Sequence, residues 1–422
     1  MGSMEESLKE IIEIIGRGNK TSSASGRNLQ FGKLNQSLNH SNFDQMSQAM
    51  ANEATPEINF CLFFNFLHRD QRFEISFVRI CVEPYSTEEE LQNLSLLGLS
   101  GPPRPPRPPR PETTVPFIGK AVFPFKSSIA SVGSMLFCLG GFILDQISNK
   151  VTKFNPSSPQ FQLISCCNMI AARQSPSVIS SAGILYVFGG LPYHTEEKKS
   201  TPWAEYLNTT LPENQQQWMP LDLPEDHFAH VSMISCLFVI PYNQAGTIFL
   251  IGFSRNLGIN KSKSVGAILF DTTDMSFKEF NLIGMPLLTH VSNPVTIVED
   301  RTMYWYHREY LHAYDFDNHV LYSALTSNSV LSHFGFRFSA SRWGPLLGHL
   351  DKNLFCFFTL HCYGDSYSEA LRILECTKFR ATKVLDKSGK SGHLDLEPVG
   401  YQSYHCDVLR ELSGVLPISL RG

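Results

Sequence analysis

From Ile58 onward the chain is written in short apolar runs separated by polar turns. "INFCLFFNFL" (58–67) is almost continuously apolar. After the turn "HRDQ", the run "RFEISFVRICV" alternates Phe73, Ile75 and Phe77 with Glu74 and Ser76. A two-residue period puts alternate side chains on opposite faces of a strand, so residues 56–84 read as a β-hairpin with one buried face. Similar runs recur over residues 117–386, with turn residues between them and scarce helical periodicity. The pattern predicts an all-β domain.

Three segments stand apart. Residues 1–55 open with Met4, Leu8, Ile11 and Ile15 at helical spacing behind a Ser3–Glu6 capping box, which predicts a short amphipathic helix. From Asn19 this segment is rich in Ser, Asn, Gln and Gly, a composition with too little apolar surface to fold, so a disordered polar tail is expected. Residues 85–116 are first acidic and then carry "GPPRPPRPPRP". Residues 387–422 contain "HLDLEPVGYQSYHCDV" and have no repeat of their own to join.

The stretch "GILYVFGG" (183–190) ends an apolar run on two glycines. Anchoring on the aromatic three residues before the first glycine aligns Phe137 in "SMLFCLGG", Tyr186, Phe249 in "GTIFLIGF", Tyr304 in "RTMYWYHR" and Phe355 in "KNLFCFFT". The steps are 49, 63, 55 and 51 residues. Each of the first four anchors is followed by an aromatic, a turn and a second aromatic: Phe154 and Phe161, Tyr206 and Trp218, Phe270 and Phe277, Tyr314 and Tyr322. Each such pair is expected on one face of a hairpin, packed against the next repeat. Gly140, Gly141, Gly189, Gly190 and the single Gly252 are expected where the chain turns sharply in a crowded place, which calls for positive φ and no Cβ.

These features resemble the kelch repeat. The best match runs from Val151 to Gly190, with Phe154, Asn155-Pro156, Phe161, Met169, Arg173, Tyr186 and Gly189-Gly190 at the repeat's positions. The resemblance covers residues 127–386 at most. It is specific in two repeats and degenerate in three: the third keeps only Gly252, the fourth has His307-Arg308 at the glycine positions, and the fifth has Phe358-Thr359. It implies a kelch-like β-propeller, with Arg173 as a structural arginine tied to backbone carbonyls. The unpaired hairpin at 56–84 and the tail at 387–422 then predict six blades, the sixth a composite closing blade from both termini, because closure removes open edges. Five or seven blades are the alternatives.

Composition narrows the function classes. The net charge of -4 over 422 residues offers no global basic field, so nucleic acid is not an expected partner. No apolar run reaches the ~18–20 residues of a membrane helix. The ten cysteines sit mostly inside apolar runs (Cys61, Cys81, Cys138, Cys236, Cys356), where they act as small hydrophobes. With an acidic N-terminus unlike a signal peptide, that points to a reducing compartment, the cytoplasm or nucleus.

Candidate chemistry is sparse. In polyproline II, with three residues per turn, Arg104, Arg107 and Arg110 align on one edge of "PPRPPRPPRP". The segment twice satisfies proline-x-x-proline-x-arginine, the ligand type read by aromatic grooves with an acidic rim; the alternative is a stiff solvated spacer. His227, His230, His290, Arg255 and Arg308 fall near predicted strand ends, where binding surfaces are presented, or else are solvated loop side chains. Cys166-Cys167 lack a second pair at metal-ligand spacing, and His361-Cys362 and His405-Cys406 are isolated dipeptides, so no metal or cofactor is expected. No nucleophile elbow or phosphate loop is present, and a non-enzyme is expected. The kelch family includes a copper oxidase with Tyr, Cys and His ligands, and no comparable constellation occurs here.

The resemblance therefore implies a non-enzymatic scaffold for protein–protein interaction. One alternative is a substrate-recognition subunit of a ubiquitin ligase lacking a recognisable F-box. The other is a small-molecule or metal oxidase site in the propeller channel.

Overall fold

The computed structural model divides the chain into two units, Met1–Ala54 and Thr55–Gly422. The residues it describes are 58–67, 73–82, 117–143, 146–158, 160–190, 201–221, 234–241, 246–254, 264–280, 292–297, 301–307, 309–326, 345–363, 371–387, 389, 391–406 and 411–418, all in the second unit. The expected N-terminal helix and tail, and the proline–arginine segment, lie outside them. Among the described residues the regular structure is β-strand, apart from one 3-10 turn at Glu213–Gln215.

Strands β1 (Ile58–Leu67) and β2 (Phe73–Val82) form the expected hairpin, paired from Ile58↔Val82 to Leu67↔Phe73, and β3 (Phe117–Phe123) joins β2. Next come β4 (Ser128–Val132), β5 (Met135–Leu139), β6 (Phe142–Ile143), β7 (Gln146–Ile147), β8 (Val151–Phe154) and β9 (Ile164–Ser165). Of these, β4-β5-β8-β9 make a four-stranded antiparallel sheet, sheet II, and β6 pairs with β7 in its connection. Sheet III is β10 (Ser177–Ser181), β11 (Ile184–Phe188), β12 (Ala204–Asn208) and β13 (Trp218–Leu221). Sheet IV is β14 (Ile234–Pro241), β15 (Thr247–Ser254), β16 (Ser264–Asp271) and β17 (Ser276–Phe280).

An eight-stranded sheet follows, made of two antiparallel halves. Half V is β18 (Ser292–Ile297), β19 (Thr302–His307), β20 (Tyr310–Asp315) and β21 (Val320–Leu325). Half VI is β22 (Leu346–Asp351), β23 (Leu354–Tyr363), β24 (Leu371–Leu385) and β25 (Gly392–His405). A short parallel contact, Tyr322↔Gly392 and Ser323↔His393, joins them. Finally β26 (Glu411–Ile418) pairs with β1, so that sheet I has the order β26-β1-β2-β3 and unites both ends of the strand-forming region.

The first strands of these groups lie side by side in cyclic order: β4 beside β10, then β14, β18, β22, β26, and β26 again beside β4. Among the described residues, apolar clusters fill five of the seams between successive groups. Phe77, Phe123, Leu136 and Phe154 lie between sheets I and II, Val151, Leu185 and Trp218 between II and III, and Tyr186, Phe188, Leu250 and Phe270 between III and IV. Tyr304, Phe355 and Phe379 lie between V and VI, and Phe60, Leu346 and Cys376 between VI and I. β1 and β23 are covered on both faces, which is why "LFCFFTL" and "NFCLF" read as continuous apolar runs rather than alternating ones.

All five anchor aromatics fall in second strands: Phe137 in β5, Tyr186 in β11, Phe249 in β15, Tyr304 in β19 and Phe355 in β23. Their phase is not uniform. Phe137, Tyr186 and Tyr304 pack toward the following group, whereas Phe355 packs toward the preceding one. A one-residue shift in alignment moves a strand residue to the opposite face, and the sequence alignment at the fifth repeat carries that shift.

The expectation for the paired aromatics is also corrected. Phe154 and Phe161 share a face, as do Phe270 and Phe277 with ring centroids 4.6 Å apart, but both pairs pack against the preceding sheet. Tyr206 is opposite Met219 and Tyr322 is opposite Ala313, so the other two pairs split between faces. Phe161 itself precedes β9. The turns differ in length and register, and register decides the face.

Candidate functional site at the strand ends

Antiparallel pairing gives every group two distinct edges. The second strand ends, the third begins and the fourth ends at the same edge. β15 ends at Ser254 and β19 at His307, with Arg255 and Arg308 next in sequence; His227 and His230 lie between β13 and β14, and His290 between β17 and β18. These connections all leave the shared edge of their groups. The connection between β2 and β3, with Arg104, Arg107 and Arg110, leaves the other edge of sheet I. All eight of these residues lie outside the described residues.

At this edge, where β19 turns into β20, aromatic rings gather on one face. The register pairs His307 with Tyr310, Trp305 with His312, and His312 with Ser323, so these side chains share one face. Trp305 is buried; its ring stacks on His312 at 5.2 Å and 21°, and His312 stacks on Tyr310 at 5.8 Å and 24°. Tyr310, the outermost ring, is 41% exposed. His312 Nδ1 lies 2.8 Å from Ser323 Oγ. Burial, aided by the neighbouring His307, pushes the His312 imidazole down to about 4, so the ring is neutral at physiological pH. The turn is held from behind: Glu309 O accepts from Thr326 N–H at 2.8 Å and from Thr326 Oγ at 2.7 Å.

This arrangement offers a graded stack of rings with one open face, and a neutral imidazole that can donate or accept. It suits contact with another surface through ring faces and hydrogen bonds. Among the described residues no three His, Cys, Asp or Glu side chains converge as a metal site. Sequence reasoning singled out Arg308 here and missed Trp305, Tyr310 and His312. The alternation of "TMYWYH" and "YLHAYD" was a usable signal, but only the pairing register brings the rings together.

The glycine turns and Arg173 occupy the same edge of sheets II and III. Gly140, Gly141, Gly189 and Gly190 all have positive φ, from 64° to 90°. At Gly141 a Cβ would meet Ser127 Oγ at 2.6 Å and Phe125 O at 2.8 Å; at Gly190 it would meet Gln174 O and Pro176 Cα at 2.8 Å. The chain entering the first strand of the same sheet crosses at these points. Gly252 instead lies within β15, opposite Leu237 and Gly266. Arg173 is fully buried: Nε donates to Glu205 Oε1 at 2.8 Å, Nη1 to Gly189 O at 2.5 Å and Trp203 O at 2.8 Å, and Nη2 to Pro202 O at 2.7 Å. A charge with every nitrogen engaged is an architectural joint, not an open binding group.

No family model matches the chain, and no curated protein matches it.

Proposed function

We propose that this protein is a non-enzymatic interaction platform built as a kelch-like propeller of six four-stranded blades, with β26-β1-β2-β3 as the composite closing blade. The observation that carries this reading is the cyclic adjacency of the six first strands. Six four-stranded groups in such an order leave no first strand without neighbours on both sides, which is how radial repetition removes exposed edges. The paired positive-φ glycines and the Arg173 joint add to the support, since both repeat or bridge structure at the seams between groups.

A rigid ring presents its connections as the variable, functional part. The face formed by Trp305, His307, Tyr310 and His312, with Arg308 in the turn, is the proposed partner-binding region, and Arg255, His227, His230 and His290 belong to connections at the same edge. Arg104, Arg107 and Arg110 would engage a separate partner of the polyproline-reading type from the other edge. Affinity purification with mass spectrometry tests this. The expected result is a protein partner lost with Tyr310→Ala and retained when the three arginines are replaced. A partner set unchanged by Tyr310→Ala would reject the face, and cullin-associated subunits among the partners would favour the ubiquitin-ligase role.

A further inference from the structure

Residues 166–173 carry the chain from the outer strand of sheet II to the first strand of sheet III. They are pinned from both sides. Cys166 N–H donates to Val151 O at 2.9 Å, Met169 N–H donates to Asn149 O at 2.9 Å, and the Trp218 indole N–H donates to Cys167 O at 3.0 Å. Because β9 ends at Ser165, strand alternation no longer separates adjacent side chains. Cys166 and Cys167 both pack, half-buried, against one apolar cluster that includes Val151, Met169 and Trp218. Both thiols are free and reach solvent in part, whereas Cys61, Cys138, Cys356 and Cys376 are buried.

We propose that Cys166 and Cys167 form a bidentate dithiol site for a soft, thiophilic ligand, of which trivalent arsenic is the chemical type. Soft sulfur donors select such ligands, and two donors on consecutive residues gain the second bond at high effective concentration. With phenylarsine oxide the exchange balances without redox change. Two As–S bonds form, two S–H bonds break, and the arsenic-bound oxygen leaves with both protons as water.

The surroundings fit a ligand that exchanges with thiols. Burial pushes Cys166 up to about 11 and raises Cys167 as well, while the Lys153 ammonium opposes the rise at both. Glu213, paired with Lys153 at 2.5 Å, adds to the rise at Cys166. Both sulfurs are therefore protonated at neutral pH, the form whose protons leave with the arsenic-bound oxygen. Drawing both sulfurs onto one atom shifts the Cys166–Cys167 backbone, and the next carbonyl along, Cys167 O, is the acceptor of the Trp218 indole. Occupancy is thus transmitted to the seam between sheets II and III.

The test treats the full-length protein with phenylarsine oxide and reads intact mass, a cysteine peptide map and tryptophan emission. One phenylarsenic group per chain is expected, with Cys166 and Cys167 protected from later alkylation and an emission change that disappears in Trp218→Phe. Cys166→Ser or Cys167→Ser should slow capture at least tenfold, and Glu213→Gln should speed it. The peptide map of the unmodified sequence needs no variant, so a misfolded mutant does not blunt the test. Undiminished capture by a Cys166→Ser/Cys167→Ser double variant, or no protection of these two thiols in the parent protein, overturns the proposal.

Discussion

Arg173 and Glu205 form a fully buried ion pair, Nε to Oε1 at 2.8 Å, that ties the chain leaving sheet II to strand β12 of sheet III. Glu205 also accepts from the Ile170 N–H at 2.7 Å and the Ala171 N–H at 3.3 Å, so the carboxylate fastens the crossing segment as well. The pair closes a buried polar network beside the apolar cluster of that seam. Such a network is stable only while every member is satisfied.

Breaking it from one side should therefore be severe. Arg173→Met leaves a buried carboxylate without its counter-charge and the carbonyls of Gly189 and Pro202 without the donors they have here, while Trp203 O keeps the Gly189 N–H, and should cost about 3–5 kcal/mol. Arg173→Lys should recover little, because an ammonium cannot reproduce the planar fork. Adding Glu205→Leu to Arg173→Met should restore part of the loss. Urea denaturation of the single and double variants measures this, and additive losses would show that the two residues are not coupled.

Two glycines with similar backbone conformations should respond differently to alanine. Gly133, in the β4–β5 turn, has φ of 57° with open space where a Cβ would go; Gly141 has φ of 90° and a Cβ position crowded by backbone and side chain. Gly133→Ala should cost about 1–2 kcal/mol, the left-handed backbone penalty alone. Gly141→Ala adds a steric clash with the chain entering sheet II and should exceed that clearly. Thermal melts of the two variants distinguish them, and equal losses would remove crowding as the reason for the paired glycines.

His312 should make stability depend on mildly acidic pH. Its imidazole is held below its unfolded value of 6.5, at about 4. The unfolded chain therefore binds the proton first, so this stability is complete above pH 6.5 and falls as pH drops from 6.5 toward 4. Allowing for the ring's partial exposure, the loss should be on the order of 1–2 kcal/mol. His312→Gln should flatten that part of the pH profile. A profile unchanged by the substitution would assign the acid sensitivity to other groups.

Removing β26 should unsettle the whole described domain rather than fray one end. β26 pairs with β1 along Asn59↔Ile418 to Asn65↔Glu411, and it lies beside both β22 and β4. Truncation after Cys406 exposes an apolar strand edge and opens the cyclic order of first strands. Loss of a cooperative thermal transition, with aggregation, is the expected outcome. An unshifted transition would mean that the domain does not depend on joining its two ends.

How much was legible beforehand differs by feature. The N-terminal hairpin and the five second strands could be read from apolar runs and recurring aromatics, because burial on both faces writes itself into each strand's composition. The union of the hairpin with a C-terminal strand was expected from edge closure. The phase of Phe355 was not, since a continuous apolar run carries no marker of which face is which. Nor was the long β24–β25 hairpin, which runs beyond β23 to meet β21, where a Cβ on Gly392 would lie 2.4 Å from the Tyr322 ring.

By itself, then, the sequence determined the strand class, the spacing of the repeats and the glycine turns, because these depend on local chain stiffness and on hydrophobicity within a few residues. Only the tertiary structure decided which rings meet, where Arg173 finds its carboxylate, and that Trp305, His312 and Tyr310 form one stack. Those outcomes rest on pairing register and on contacts between groups distant in the chain, and a one-residue change in register exchanges the two faces of a strand.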